Sequence, residues 1–298
     1  MSPRTRAYLQ IHTAVLLYGI TGILGDLIVL PKPTLVWWRM LLTALSFLLW
    51  PGLLRQVRSM SRRDLAAMVG IGSLVALHWV TFFGAIQLTN VSVTLAVMAT
   101  ASFFTAILEP ILLGGRFRWY ELLLGVVVVP AVALVKNSTD FAWAGILVAL
   151  SSAALAATFS ILNKKLVDRH NPVALTFVEL GSGGLLLTLG LPFWYAFVET
   201  GPFFPTGNDW IYLPILAFVC TSFAYVINLQ ALRVLPAFAV NLTINLEPVY
   251  SIILAYFILR ESDELYWGFY LGAALIILAV FLYPVLARQF GVPDKQSS

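Results

Sequence analysis

Charge is scarce in this chain: Asp, Glu, Lys and Arg make up 11% of its 298 residues, against 60% hydrophobic residues. An apolar excess of that size cannot be hidden in one aqueous core of this length, so much of the surface must face lipid. Cysteine is nearly absent. Cys220 is the single one and lies inside an apolar block, which excludes an intrachain disulfide, thiol redox chemistry and a cysteine metal site. The sequence lacks a Walker loop, a dinucleotide glycine fingerprint, a histidine cluster at metal-ligand spacing and a paired-carboxylate site with a facing nucleophile. ATP is therefore excluded as a direct fuel, and neither a cofactor nor a metal is expected. The net charge of +4 is spread over short connections with no interleaved aromatic and basic surface, which excludes nucleic acid as a partner.

What is present is a succession of apolar blocks of about 17 to 25 residues, the length that crosses about 30 Å of hydrocarbon at 1.5 Å per residue. The blocks predict ten transmembrane helices. In the first half they are Tyr8–Leu27, Thr34–Leu54, Leu65–Leu88, Val91–Leu113 and Trp119–Val135. In the second half they are Phe141–Leu162, Val173–Phe197, Trp210–Leu232, Ala237–Leu259 and Leu265–Leu286. The first block has no small-x-small cleavage site and is expected to stay as a helix. No connection is long enough for a soluble domain, so any site must lie among the helices.

Lysine and arginine set the orientation. With the N-terminus inside, 14 of the 18 fall on the cytoplasmic side, only Lys32, Lys136 and Arg260 fall outside, and Arg39 lies within span two. That bias places both termini in the cytoplasm.

The halves resemble each other at an offset of about 139 to 147 residues: Pro33 answers to Pro172 and Gly125 to Gly272, as internal repeats would. Five spans per repeat is odd, so the second copy must be upside down. The loops agree, with Arg116 and Arg118 before span five but Glu261, Asp263 and Glu264 before span ten. The expected fold is an all-α integral membrane protein with two inverted five-helix repeats, residues 1–136 and 137–298.

Over Tyr8 to Leu286 the chain resembles the EamA-type permeases of the drug/metabolite transporter superfamily. The residues that carry the likeness are Tyr18-Gly19, Arg39, the stretch His78 to Val97, Asn245 to Pro248 (NLEP), and Glu261 with Gly268 and Gly272. Arg116 stands where that family has an acidic residue before span five, and Phe103 where it has a proline in span four. The resemblance implies transport of a small solute in a bacterial inner membrane, with spans five and ten peripheral, and it leaves the solute open.

Ionisable groups in hydrocarbon cost about 2.5 to 3.5 kcal/mol each, which makes them candidates for function. Arg39 lies five residues into span two, about 7 Å deep. It either snorkels or pairs, or it anchors an anion at the outer mouth with Thr43 and Ser46 on its face. Glu109 and Glu179 lie near the cytoplasmic ends of spans four and seven, where they could gate or meet substrate cations. Ser102, Thr105 and Glu109 form one helix stripe, facing either the cavity or a polar seam. His78 and Glu247 fall near the midplane and are the candidates for proton coupling; the alternative is that each is bonded to neighbouring helix groups. Tyr225 and Asn228 share a face with Thr221. Asn241 and Asn245 share a face of span nine, with Glu247 about 120° away in a straight helix. Tyr18 and the aromatics Trp38, Trp79, Phe82 and Phe103 could floor an apolar site. Pro110 and Pro248 each leave a carbonyl unpaired and are hinge candidates.

These readings predict a secondary transporter that moves a small polar or amphipathic metabolite, with an amino acid and export favoured, by alternating access. The substrate-binding candidates are Tyr18, Arg39, His78, Phe82, Ser102, Glu109, Tyr225, Asn228, Asn241, Asn245 and Glu247. A lipid-linked carrier flippase or an intramembrane enzyme of similar architecture is the alternative. The flippase needs a cation cluster for phosphate and the enzyme a nucleophile and base at one depth, and this sequence supplies neither. The expected partners are the solute and the bilayer; the coupling source is a proton gradient, or none in an exchanger or facilitator, and a homodimer is left open.

Overall fold

The computed structural model describes residues 1–89, 91–114, 116–135, 143–198, 201–247, 249–250 and 267–290, and every regular element among them is helical. In the first half these are α1 (Pro3–Leu27), α2 (Lys32–Phe47), α3 (Leu53–Arg58), α4 (Arg62–Leu88), α5 (Val91–Met98), α6 (Thr100–Leu113) and α7 (Trp119–Val135). In the second half they are α8 (Trp143–Leu166), α9 (Pro172–Phe197), α10 (Asp209–Ala217), a π-helical turn Phe218–Phe223, α11 (Ala224–Val234), α12 (Ala237–Ile244) and α13 (Trp267–Phe290).

Local chemistry explains where several of these begin. Ser2 caps α1 by accepting from the Thr5 N–H and is followed by proline; Ser61 does the same for Asp64 at the start of α4; and Asn171 precedes Pro172 at the start of α9. Each arrangement satisfies or removes a donor that the first turn would leave orphaned.

Five helical stretches are long and apolar enough to cross a membrane: Pro3–Gly25, Arg62–Leu88, Trp143–Leu166, Pro172–Phe197 and Asp209–Val234, with Thr100–Leu113 and Ala274–Phe290 as shorter apolar helices. They turn apolar side chains outward as well as inward. On α9, Leu185, Leu189, Phe193 and Phe197 are 69%, 73%, 69% and 81% exposed, a stripe at four-residue spacing that only lipid can cover. This is a multi-pass membrane protein.

Four expected spans differ in detail. Span four is split by a turn at Ala99 into α5 and α6. Span two does not run unbroken to Leu54. Instead α2 ends at Phe47, and Gly52, in the left-handed region at φ 77°, starts α3, because Pro51-Gly52 cannot continue a helix. Span eight carries the π turn in its middle. Span nine loses its helix at Ile244, where Asn245 and Leu246 bond back three residues to Leu242 and Thr243; Pro248 and residues 251–259 lie outside the described residues.

Packing repeats across the two halves. α1 lies on α11 as α8 lies on α4, α2 on the α10–π segment as α9 on α4, and α1 on α12 as α8 on α6. α2 pairs with α9, α6 with α12 and α7 with α13, so exchanging the halves leaves the scheme unchanged. This is a two-repeat architecture. Glycines bring the central helices close: a Cβ on Gly183 of α9 would lie 2.6 Å from the Gly72 carbonyl oxygen of α4, and one on Gly125 of α7 would lie 2.9 Å from the Phe103 Cα of α6. Neither contact admits a side chain.

Candidate functional site

The two halves enclose a cavity of about 150 Å³. Nine of the eleven substrate-binding candidates line it: Tyr18 from α1, Arg39 from α2, His78 and Phe82 from α4, Tyr225 and Asn228 from α11, Asn241 from α12, and Asn245 and Glu247 beyond it. Trp79, Phe159, Met98 and Leu95 add apolar wall, so the cavity is apolar with a few placed polar groups, as small-molecule sites are.

Arg39 does not reach for an outer surface. Its side chain is 3% exposed, Nε donates to Thr221 Oγ1 at 2.5 Å, and Cζ stands 4.1 Å from the centroid of the Trp79 ring. Among the described residues, stacking and a single hydrogen bond leave most of its five N–H donors for other partners. The face that Arg39 shares with Thr43 and Ser46 zips α2 to the π turn. Thr43 Oγ1 donates to the Ala217 carbonyl at 3.0 Å, and Ser46 Oγ lies 3.2 Å from Ser222 Oγ. Thr221 and Ser222 donate to the carbonyls five residues back, Leu216 and Ala217. Hydroxyls thus serve carbonyls that a π turn disturbs, and the turn aims Thr221 at Arg39.

His78 Nδ1 donates to the Ser152 carbonyl at 3.1 Å while Ser152 Oγ donates to the His78 carbonyl at 2.9 Å. The histidine is both bonded to a helix carbonyl and part of the cavity wall, and an Nδ1–H tautomer leaves Nε2 as an acceptor. Asn228 Nδ2 donates to Tyr18 Oη at 3.1 Å, while its Oδ1 has no donor among the described residues. The break after Ile244 accounts for span nine: a straight helix would turn Glu247 about 120° from Asn241, yet all three polar residues reach the cavity because the helix is interrupted between them.

The two candidates outside the wall are Ser102 and Glu109. They belong with Thr105 to a seam between α6 and α12. Asn245 Nδ2 donates to Ser102 Oγ at 3.1 Å and Asn241 Nδ2 to Thr105 Oγ1 at 2.7 Å. The Glu109 carboxylate accepts from the N–H groups of Ala237 at 3.3 Å and Phe238 at 2.9 Å, capping the orphan donors and positive end of α12. Pro110 sits inside α6, which stops four residues later at Gly114, φ 74°. Trp38 and Phe103 stand apart from the cavity: Trp38 Nε1 donates to the Phe203 carbonyl at 2.8 Å, and Phe103 supports Gly125. Glu121, on α7, pairs with Arg118 at 3.1 Å.

Thr21 and Ser160, which the polar pattern of the sequence does not single out, also line the cavity. Thr21 follows Tyr18 by three residues, one helical turn, which was the available signal. No group of three or more His, Cys, Asp or Glu side chains gathers at metal distance among the described residues.

A helical, two-repeat membrane protein with a small mixed cavity between its halves has the build of a solute carrier. The family model of the EamA-like transporter family matches residues 5–136 and again 143–283, and the chain belongs to that family, within the drug/metabolite transporter superfamily. Its members are transporters, which take small solutes and work in lipid. A solved structure described as "Crystal structure of protein" has the same fold, with a TM-score of 0.78 and 16% identity over 97% of this chain and 99% of that one. No curated protein matches the sequence.

Proposed function

We propose that this transporter carries a small polar or amphipathic metabolite, of which an α-amino acid fits best, through the cavity by alternating access, with export as its direction. The carrying observation is that, among the described residues, the cavity presents one guanidinium, Arg39, and one carboxyl, Glu247, in a wall otherwise made of apolar, aromatic, hydroxyl and amide groups and His78. A zwitterion complements that pair: its carboxylate would take the unused guanidinium donors and its ammonium Glu247. The unpartnered Asn228 Oδ1 offers a further acceptor, since a buried acceptor left empty costs about 1 to 3 kcal/mol. The size limits the side chain to one that packs on Phe82 and Phe159. In this reading ten spans run through a bacterial inner membrane with both termini in the cytoplasm, residues 1–136 and 137–298 form the repeats, and His78 or Glu247 carries the coupling proton.

Proteoliposome uptake of labelled amino acids, sugars and nucleotide-sugars, with and without an imposed pH gradient, tests this. The expected result is amino-acid accumulation that Glu247→Gln or His78→Ala abolishes. Flux confined to sugars or nucleotide-sugars, or absent in well-folded native protein, would sink the reading.

A further inference from the structure

A second polar cluster lies behind the cavity wall. Glu179, in the body of α9, is fully buried. Its Oε2 accepts from Tyr225 Oη at 2.9 Å and from Asn163 Nδ2 at 3.2 Å, and Asn163 Nδ2 also lies 3.3 Å from Tyr225 Oη. Two acceptors of the cluster, Glu179 Oε1 and Asn163 Oδ1, are buried and have no donor among the described residues.

Ionisable groups on the elements packed around Glu179 are engaged elsewhere. Arg39 on α2 holds Thr221 and Trp79, and His78 on α4 holds Ser152. Asp64 on α4 faces His170. Lys164 and Lys165 on α8 reach the carbonyls of Leu232 and Leu112, and Arg233 on α11 reaches those of Val167 and His170. Arg55 and Arg58 on α3 are exposed. Tyr225 is the titratable group in contact with the carboxyl, and Tyr225 also lines the cavity.

We propose that Glu179 is a further proton-exchange site, in series with the His78 or Glu247 position of the transport reading, that Tyr225 connects to the transport cavity. The argument is donor counting: two acceptors of one hydrogen-bonded cluster lack a donor among the described residues, and a proton on the carboxyl supplies one. With the Asn163 amide turned over, its Oδ1 accepts from the carboxylic O–H; as drawn, its Nδ2 donates to the carboxylate. The same three side chains therefore hold both states. In uptake, the phenolic proton passes to Glu179 Oε2 as Tyr225 Oη takes a proton from a hydronium ion in the cavity, which is left as water, so one proton moves from the cavity to the carboxyl and the tyrosine ends neutral. A metal cation is a poor occupant, because the cluster offers three side chains where hard cations need about six oxygens. A solute that engages Tyr225 competes for the hydroxyl that Glu179 uses, which links proton and solute.

The link to solute rests on the transport reading, but proton exchange can be read without any solute. Infrared difference spectra of the native protein in liposomes, stepped in pH, should show a carboxylic C=O band that disappears in Glu179→Gln and survives, shifted, in Glu179→Asp. In the flux assay Glu179→Gln should lose gradient-driven accumulation by about tenfold while retaining solute counterflow at equal pH. A pH-stepped spectrum identical in native and Glu179→Gln protein would overturn the proposal, as would a band set by sodium at constant pH or a variant that accumulates solute like the native protein. A normal Glu179 band with no flux of any solute would leave proton exchange standing and remove the transport reading instead.

Discussion

At the level of single side chains, burial alone does not separate working groups from structural ones, but partners do. Arg39 and Glu109 are both charged and set within apolar helices, yet the first borders the cavity with donors to spare and the second spends both oxygens on the start of α12. Arg39→Lys should keep the charge but lose the planar stacking on Trp79 and the directed N–H to Thr221. We expect solute flux to fall about tenfold or more, since stacking and a charged hydrogen bond are each worth about 1 to 2 kcal/mol, with the protein still monodisperse. Glu109→Gln should do the reverse: flux per folded molecule is retained, and stability falls by about 1 kcal/mol as the charged cap weakens. Thermal unfolding in detergent and flux, measured on both variants, check the contrast; equal losses of flux would refute the division.

Helices and their breaks carry the next level. The apolar blocks were legible because hydrocarbon demands long uncharged runs, and polar stripes such as Arg39, Thr43 and Ser46 followed from the 3.6-residue period. The period also supplied the limit of that reading, since it assumes straight helices. The π turn at Phe218–Phe223 meets side chains arriving from another helix, Thr43 and Ser46, which no local pattern announces, whereas the interruption after Ile244 has a local signal in Pro248, four residues on, that does not say which way the following side chains will turn. Hence Glu247 looked out of phase with Asn241 and Asn245, and Asn163, brought to Glu179 from another helix, carried no signal beyond being polar in an apolar run. Close crossing is the other element-scale device. Gly183→Ala places a methyl against the Gly72 carbonyl and must part α4 from α9, at a cost of about 1 to 3 kcal/mol. Its melting temperature should drop, whereas Gly190→Ala on the same helix, with open space around it, should not lower it. Equal melting temperatures for the two would show that the crossing is loose.

For the molecule as a whole, the exchange symmetry of the packing fits the inverted arrangement inferred from the loop charges. Two copies in opposite orientation give a cavity walled by equivalent helices, which can open to either side by rocking one copy against the other. The arrangement requires that successive connections alternate in side. The single cysteine makes this testable, because Cys220 is buried with 0% exposure and leaves the native chain a quiet background. Arg58 and Asn208 are both exposed, Arg58 at the end of α3 and Asn208 just before α10, so a cysteine at either should report its side without disturbing the core. In intact cells a membrane-impermeant maleimide should label Asn208→Cys at once and Arg58→Cys only after permeabilisation. The bias of 14 cations to 3 predicts that order and no other. Labelling of both from outside would break the alternation, and with it the inverted pairing. The opposite order would keep the alternation and place the termini outside, reversing the direction in which the cavity is read as loading.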